Sequence, residues 1–292
     1  MIGGALLVDK PAGPSSHEVV ARVRKLFGTR AVGHTGTLDP FANGLLVLVL
    51  GPSTRLARWA EQRPKTYRAV ARLGQVTTTD DRTGEILEDS AGIAWPAQAT
   101  VERALEGFRG AQLQRPPAYS AKRVQGVRSY RAARRNGMTL ELEPVPITVF
   151  QIALLHWKPP FLTFRAEVSP GTYLRALARD LGARLGTGAH LTELRRERIG
   201  PWRVEQAHGL TELTGKESLL PAEALVEGLG RVDLSSEEVR LVRYGRDIVR
   251  ESEFPGSEAG LYEGGRLVAI GKRTGEGWHP VLVLPDDDRA AP

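Results

Sequence analysis

A glycine-rich loop that runs into a long apolar stretch constrains the fold of this chain more than any other part of its sequence. Residues 31–46 read AVGHTGTLDPFANGLL, and the apolar stretch continues to residue 50. Glycine permits the positive backbone angles and close approaches of a tight loop, and Pro40 disfavours a helix at Asp39. The pattern therefore predicts one carboxylate on a stiff loop that is braced by a buried strand. Such a carboxylate can be catalytic, but an aspartate in this setting also often only closes the turn.

The hydrophobic pattern of the first 229 residues predicts both strands and helices. Apolar residues run together or alternate in strands, and they recur every three to four positions in helices. The predicted strands are 5–8, 45–50, 65–74, 147–157 and 162–168. The predicted helices are 18–27, 53–62, 100–108 and one that begins near residue 175. The fold class is therefore α+β.

The pattern changes at about residue 230 to one helix and short strands separated by glycine turns. These elements are predicted at 235–244, 260–262, 266–271 and 280–284. Their spacing is typical of a compact, β-barrel-like module. We therefore expect one domain at 1–229 and a second at 230–292, which agrees with the number of domains usual for a chain of 292 residues.

Composition excludes several classes of protein. A hydrophobic fraction of 41% with 25% charged residues is ordinary for a water-soluble globular chain. No apolar run approaches the roughly 20 residues of a membrane span, and the N-terminus lacks the basic start of a signal peptide, so we expect a cytoplasmic protein. The absence of cysteine excludes disulfides, thiolate metal sites and cysteine nucleophiles. Because there is also no phosphate-binding loop, dinucleotide fingerprint or zinc spacing, we expect neither a cofactor nor a metal.

Positive charge is concentrated in one segment. The formal net charge is +6, and seven lysines leave 33 arginines among the 40 basic residues. No acidic residue lies between Glu106 and Glu141, and two tyrosines are interleaved with the basic side chains. A one-sided basic run with aromatic residues favours a nucleic-acid backbone as partner, although many charged runs are only solvated surfaces. The basic residues of the segment are Arg109, Arg115, Lys122, Arg123, Arg128, Arg131, Arg134 and Arg135.

Several segments resemble, in the same order, the motifs of the TruB family of tRNA pseudouridine synthases. The string GHTGTLDP at 33–40 resembles the signature loop of that family. The other matching segments are Lys10-Pro11, Lys65-Thr66-Tyr67, PPAYSAK at 116–122, GTYLR at 171–175 and GAHLTELRR at 188–196. Asp81 matches a family aspartate, whereas Thr78 stands where the family usually has another aspartate. Beyond residue 196 the likeness is looser, and the C-terminal module resembles a PUA domain in layout more than in motif.

The resemblance implies a fold and an activity. The fold is a mixed, mainly antiparallel central sheet flanked by helices, with a basic RNA-clasping insertion at about 109–143 and a PUA-like RNA-binding module at the C-terminus. The activity is the isomerisation of uridine 55 in the T-loop of tRNA to pseudouridine, after the base is flipped out. The product is an isomer of the substrate, so this reaction requires no cofactor. The expected partner is the T-arm stem-loop of tRNA, and the expected oligomeric state is a monomer.

The same resemblance implies roles for individual residues. The catalytic set is Asp39 as nucleophile, Arg175 as its partner and Tyr67 against the target base. A cation is not favoured at the start of a helix, so Arg175 is expected to have an anionic partner in any case. The substrate-binding set is His34, Tyr173, Leu194, Lys10 and Asp81. The set expected to contact the RNA backbone is Lys122, Arg123, Arg128 and Arg131.

Alternatives remain open at this stage. As bare patterns, Tyr67 and Leu194 would be core residues and Lys10 a solvated turn lysine. The nucleophile could attack C6 of the base or C1′ of the ribose, and Tyr67 is one candidate for removing the C5 proton. The whole protein could instead be an RNA-binding or tRNA-folding protein, or a guide-RNA-dependent relative of the family.

Overall fold

The computed structural model describes residues 2–90, 92–119, 142–250, 255–275 and 277–285, and the backbone of two short strands at 123–124 and 127–128. The α-helices in this part of the chain are α1 Ser16–Leu26, α2 Ala57–Glu61, α3 Gln98–Glu106, α4 Leu174–Arg184, α5 Ala222–Leu225 and α6 Ser236–Arg243. Two 3-10 helices cover Gly51–Leu56 and Val204–Gln206. Within these ranges, no helix combines the length and the apolar character that crossing a membrane requires.

Strands are numbered in chain order. Those before the basic segment are β1 Gly4–Lys10, β2 Val32–His34, β3 Asn43–Leu50, β4 Lys65–Leu73, β5 Gln75–Thr77, β6 Ile86–Asp89 and β7 Gly110–Gln114. Those from the basic segment to the end of the large sheet are β8 Arg123–Val124, β9 Val127–Arg128, β10 Val145–Lys158, β11 Phe161–Val168, β12 Ala189–Ile199, β13 Trp202–Arg203 and β14 His208–Gly209. The last are β15 Gly230–Asp233, β16 Ile248–Val249, β17 Glu258–Glu263, β18 Arg266–Thr274 and β19 Gly277–Val283.

Ten strands form the large central sheet, which is mainly antiparallel as predicted. Eight of them follow the order β14-β1-β3-β12-β4-β11-β10-β7, while β13 pairs with β12 and β2 pairs with β3. Only the pairs β1–β14 and β3–β12 are parallel. The order brings β3, which follows the Asp39 loop, directly beside β12, although the two strands lie far apart in sequence.

One face of the sheet, which we call the inner face, supports the Asp39 loop. Strand β4 alternates regularly, with buried residues at 67, 69, 71 and 73. These residues pack against α3 and α4 in a single apolar cluster. Leu38 and Phe41 from the Asp39 loop belong to the same cluster. The loop is therefore attached to the largest apolar cluster among the described residues. The buried strand that was predicted behind the loop is β3, which is buried at residues 44–50.

Helix α1 packs on the same sheet with the pattern that its sequence predicts. Its buried apolar residues are Val19, Val20 and Val23, and they contact β1 and β3. Ser15 is the N-cap, and its side chain and that of Glu18 form a reciprocal capping box. Both ends of the predicted helix 18–27 therefore agree with the structure to within two residues.

The predicted helix at 53–62 differs in detail. Residues Gly51–Leu56 form a 3-10 helix, and only Ala57–Glu61 is α-helical. Thr54 Oγ1 donates a hydrogen bond to the carbonyl oxygen of Gly51 over 2.7 Å. A side-chain hydroxyl that binds a backbone carbonyl in the first turn competes with regular α-helical bonding, which accounts for the tighter first turn.

The C-terminal residues form a second, five-stranded sheet in the order β15-β17-β18-β19-β16. The predicted helix and strands of this module are all present, and α6 packs on the sheet through Val239 and Val242. Leu267 and Ile270 of this sheet also share an apolar cluster with Leu7 of β1. The indole Nε1 of Trp59 adds a hydrogen bond of 2.8 Å to Glu258 Oε2. The C-terminal sheet thus packs on the face of the central sheet opposite the inner face, and it is not joined to the rest of the chain by a linker alone.

Candidate active site

The backbone of the Asp39 loop is held by its neighbours on both sides. Strand β2 precedes the loop and β3 follows it, and the two strands pair with each other. Gly44, at the start of β3, has φ of +106°, and a Cβ atom there would lie 2.3 Å from the carbonyl oxygen of Arg196. Only glycine therefore lets β3 approach β12 at this point. The close approach places the loop beside the inner-face residues of β12.

Arg175 reaches the Asp39 carboxylate from the first turn of α4. The distance from Arg175 Nε to Asp39 Oδ2 is 3.0 Å, and Nη2 donates a hydrogen bond of 3.4 Å to Oδ1. The guanidinium side chain is 6% exposed and the carboxylate 33% exposed. The structure thus brings together the two residues that the sequence predicted as partners. A buried guanidinium thus faces a partly open carboxylate at ion-pair distance.

A second carboxylate contacts the same guanidinium. Asp81 Oδ2 lies 3.4 Å from Arg175 Nη1, and its side chain is 6% exposed. Its other oxygen, Oδ1, accepts hydrogen bonds from Thr79 Oγ1 over 2.8 Å, from Thr83 N over 2.9 Å and from Thr83 Oγ1 over 2.5 Å. Asp81 therefore supports Arg175 from within a turn that its own side chain closes.

Residues in and just before helix α4 also form hydrogen bonds with residues 114–119, in the first part of the basic segment. Arg175 Nη2 donates to the carbonyl oxygen of Tyr119 over 3.1 Å, and Arg179 Nη2 donates to that of Arg115 over 2.9 Å. Gln114 exchanges two hydrogen bonds with the backbone of Tyr173, the residue before α4, over 2.8 and 3.1 Å. The base of the insertion is thus tied to the same helical turn that carries Arg175.

Lys10 lies at the end of β1 and is fully buried. Its Nζ donates to the carbonyl oxygens of Pro11 and Pro14 over 2.9 and 2.8 Å. Burial lowers the pKa of Lys10 to about 8, and the nearby Asp39 opposes this shift. Lys10 is therefore a buried cation behind the loop at neutral pH, and not a solvated turn residue.

His34 lies at the entrance to the loop in its neutral form. Its Nδ1 accepts a hydrogen bond of 3.3 Å from the backbone N–H of Gly36, which places the ring proton on Nε2. Burial lowers the pKa of His34, and His17 and Arg196 lower it further. The ring of His17 stands edge-on to that of His34 at a centroid distance of 5.7 Å.

Apolar side chains line the sheet below these polar groups. Tyr67 on β4 is 7% exposed and Leu194 on β12 is 5% exposed, and both belong to the cluster that contains Leu38. Leu194 is opposite Ala69 in the β4–β12 register, and Tyr67 is two residues before Ala69 on β4. The side chains of Tyr67 and Leu194 therefore lie on the same face of the sheet, close to one another. The site therefore combines an anchored carboxylate with an apolar floor.

The residues predicted to contact the RNA backbone are only partly covered. Lys122 and Arg131 lie outside the described residues. Arg123 and Arg128 are directly opposite each other in the short hairpin β8–β9, and only the backbone is described there. Among the described residues, no group of three or more histidine, aspartate or glutamate side chains is arranged to hold a metal ion.

Arg196 is the site residue that sequence reasoning missed. It is 1% exposed, and its Nε, Nη2 and Nη1 donate to the carbonyl oxygens of Leu45, Gly36 and Thr37 over 2.7, 3.1 and 3.3 Å. It thereby joins the two ends of the Asp39 loop. Strand alternation offers a signal, since Arg196 is two positions from the buried Leu194 and so lies on the same face.

Two family models match adjoining parts of this chain. The model of the TruB family pseudouridylate synthase N-terminal domain matches residues 24–174, and that of the tRNA pseudouridylate synthase B C-terminal domain matches residues 175–227. A relative named tRNA pseudouridine synthase B from Thermobifida fusca is 43% identical over 97% of this chain and 99% of its own length. One of the same name from Solibacter usitatus is 40% identical over 96% and 99%.

Solved structures agree with the sequence relatives. An H/ACA ribonucleoprotein bound to a substrate RNA that contains 2′-deoxyuridine has a chain with a TM-score of 0.74 and 26% identity, covering 98% of this chain and 86% of that one. A Cbf5–Nop10–Gar1 complex also gives 0.74, with 27% identity over 96% and 84%. Because they cover 96 to 98% of this chain, these likenesses include both the central sheet and the C-terminal sheet. The chain belongs to the TruB family of pseudouridine synthases and has the pseudouridine synthase fold.

Proposed function

We propose that this protein isomerises uridine 55 in the T-loop of tRNA to pseudouridine, with Asp39 as the nucleophile. The observation that carries the proposal is the contact between the partly open Asp39 carboxylate and the buried Arg175 guanidinium, 3.0 Å apart. Relatives that cover nearly the whole chain are named tRNA pseudouridine synthase B, which supports tRNA as the substrate.

The reaction breaks the N1–C1′ bond of the uridine, turns the base and forms a C5–C1′ bond. C5 loses its proton in the process, and N1 gains one. The Asp39 carboxylate attacks either C6 of the base or C1′ of the ribose, and the bond that it forms is broken again, with release of the carboxylate, before the product leaves. Arg175 contacts the carboxylate and orients it within the pocket. Tyr67 and Leu194 give the turning base an apolar wall, and Tyr67 is the candidate acceptor of the C5 proton.

The target uridine lies in a folded loop and must leave its stack to reach Asp39. Extrusion costs a few kcal/mol, which contacts elsewhere must offset. We propose that His34 fills the vacated space, and that Tyr173, Lys10 and Asp81 shape the binding site around the nucleophile and its partner.

Two further regions, the basic segment and the C-terminal residues, would supply the remaining binding energy for tRNA. Lys122, Arg123, Arg128 and Arg131 would contact phosphates of the T-arm. The C-terminal residues from 230 onward would act as a PUA-like RNA-binding domain beside a catalytic domain at 1–229. The five-stranded sheet with its packed helix supports this division in layout.

The alternatives receive less support. A protein that only binds or folds RNA would not need a carboxylate held open beside a buried guanidinium. The similar structures from ribonucleoprotein or protein complexes are 26 to 27% identical to this chain, whereas the tRNA pseudouridine synthase B relatives reach 40 to 43%, which favours the stand-alone enzyme.

The test is to incubate the purified protein alone with an unmodified tRNA transcript and to map pseudouridine by carbodiimide labelling. We expect a single labelled position, uridine 55, with no added cofactor, guide RNA or protein. A matched transcript with cytidine at position 55 should remain unlabelled. The absence of any label with the first transcript, or a label only when a guide RNA is added, would contradict the proposal.

A further inference from the structure

The start of helix α1 contacts the Asp39 loop through one buried hydroxyl group. Ser16, the first residue of the helix, is 1% exposed. Its Oγ accepts a hydrogen bond from the backbone N–H of Leu38 over 2.9 Å and donates one to the carbonyl oxygen of Leu38 over 3.1 Å. A single side chain therefore satisfies both backbone groups of the residue that immediately precedes Asp39.

These two bonds fix the direction in which Asp39 points. The carbonyl of Leu38 belongs to the peptide plane that joins Leu38 to Asp39. The next two peptide planes are held by backbone donors, since Ala42 N–H donates to the carbonyl oxygen of Asp39 over 3.1 Å and Gly13 N–H donates to that of Pro40 over 2.8 Å. Of these three anchors, only the one from Ser16 uses a side chain, so a substitution can remove it alone.

We propose that Ser16 is a positioning residue for the reaction, which orients the Asp39 carboxylate through the backbone of Leu38. The proposal rests on the proposed role of Asp39 as nucleophile. Ser16 does not touch the substrate in this view, and its effect should fall on the chemical step. A displacement of a reacting group by about 1 Å can slow a reaction by about 100-fold, so a lost backbone anchor is expected to have a large kinetic effect.

Ser15, the N-cap of the same helix, offers a matched control one residue away. Its Oγ accepts a hydrogen bond from the backbone N–H of Glu18 over 3.3 Å, and its own N–H donates to Glu18 Oε2 over 2.7 Å. Among the described residues, its hydrogen bonds stay within α1. Ser15→Ala therefore weakens the start of the helix but leaves the contact with Leu38 in place.

The experiment compares Ser16→Ala with Ser15→Ala in the full chain. The first readout is amide hydrogen exchange in the peptide that contains Leu38. The second is the single-turnover rate of pseudouridine formation at saturating tRNA, together with the Kd for tRNA and the melting temperature. For Ser16→Ala we expect faster exchange and a rate about 10- to 100-fold lower with an unchanged Kd. For Ser15→Ala we expect a melting temperature about 2 to 4 °C lower with wild-type exchange and rate.

The outcomes separate this proposal from the proposed function. Wild-type rates for Ser16→Ala, or an equal rate loss in both variants, would overturn the positioning role. If the wild-type protein forms no pseudouridine, the proposed function fails, and the exchange readout still decides whether Ser16 anchors the loop. Ser16→Cys keeps the shape of the side chain but bonds weakly, so it replaces the alanine variant if that variant does not fold. A cysteine variant as fast as the wild type would then refute the proposal.

Discussion

Two loops bring a carboxylate to the same guanidinium, and they are built in opposite ways. In the Asp39 loop the backbone is anchored from outside by Ser16 and Arg196, while the carboxylate accepts hydrogen bonds, among the described residues, from Arg175 only. In the Asp81 turn the carboxylate itself is the anchor, because it accepts bonds from Thr79 and Thr83.

The difference indicates which carboxylate is free to react. The lone pairs of a carboxylate that accepts several hydrogen bonds are occupied, and its nucleophilicity is reduced. The Asp39 side chain is 33% exposed and that of Asp81 is 6% exposed, so Asp39 is the more accessible of the two carboxylates. Asp81 instead holds Arg175 in the position where it contacts Asp39.

The largest effect is expected for Asp39→Asn. The amide has nearly the same shape but is not a nucleophile, so pseudouridine formation should fall by about 10⁴-fold or more. The Kd for tRNA should remain within about twofold of the wild-type value, because the proposed phosphate contacts lie in other segments of the chain. Single-turnover assays and filter binding check both expectations. Turnover well above about one ten-thousandth of the wild-type rate in a clean preparation would refute the assignment of the nucleophile.

A smaller loss is expected for Asp81→Asn. The substituted side chain can still accept the bonds from Thr83, but it no longer offers Arg175 a negative charge. Loss of the charge of Asp81, 3.4 Å from Arg175 Nη1, is expected to give a rate about 10- to 100-fold lower, measured in the same assay. If this variant were as inactive as Asp39→Asn, the two carboxylates would not differ in the way that their surroundings indicate.

The smallest effect is expected for Thr83→Val. This change removes the bond from Thr83 Oγ1 to Asp81 but keeps the bond from the backbone N–H, so the rate should fall by about two- to tenfold. Thr78→Val is the matched control in the same turn, because Thr78 Oγ1 accepts a bond from the backbone N–H of Glu85 and does not contact Asp81. Equal rates for the two variants would show that the closure of the turn by Asp81 is unimportant for catalysis.

Sequence was a good guide to the parts of the site that obey local rules. The stiff loop at Asp39 followed from its glycines and proline, and the need of Arg175 for an anion followed from its place at a helix start. The helix and short strands after residue 230 followed from their spacing. These features depend on a few neighbouring residues, so their patterns can be read along the chain.

Contacts between a side chain and a distant backbone could not be predicted in this way. The carbonyl oxygens that Arg196 binds are present in every residue, so nothing in the sequence marks Gly36, Thr37 or Leu45 as its partners. The same holds for Ser16, because nothing in the sequence marks Leu38 as the partner of its hydroxyl group. The packing of the C-terminal sheet on β1 was missed for a related reason, because the apolar residues involved also suit a separate core.

The contacts of Arg175 also determine at what stage of folding the site forms. Its partners lie 136, 96 and 56 residues away along the chain, at Asp39, Thr79 and Tyr119. Contacts between such remote stretches form late, after the entropy of closing large loops has been overcome. A chain that has only its helices and hairpins would hold no ion pair at Asp39, so catalytic turnover reports on completion of the whole tertiary structure.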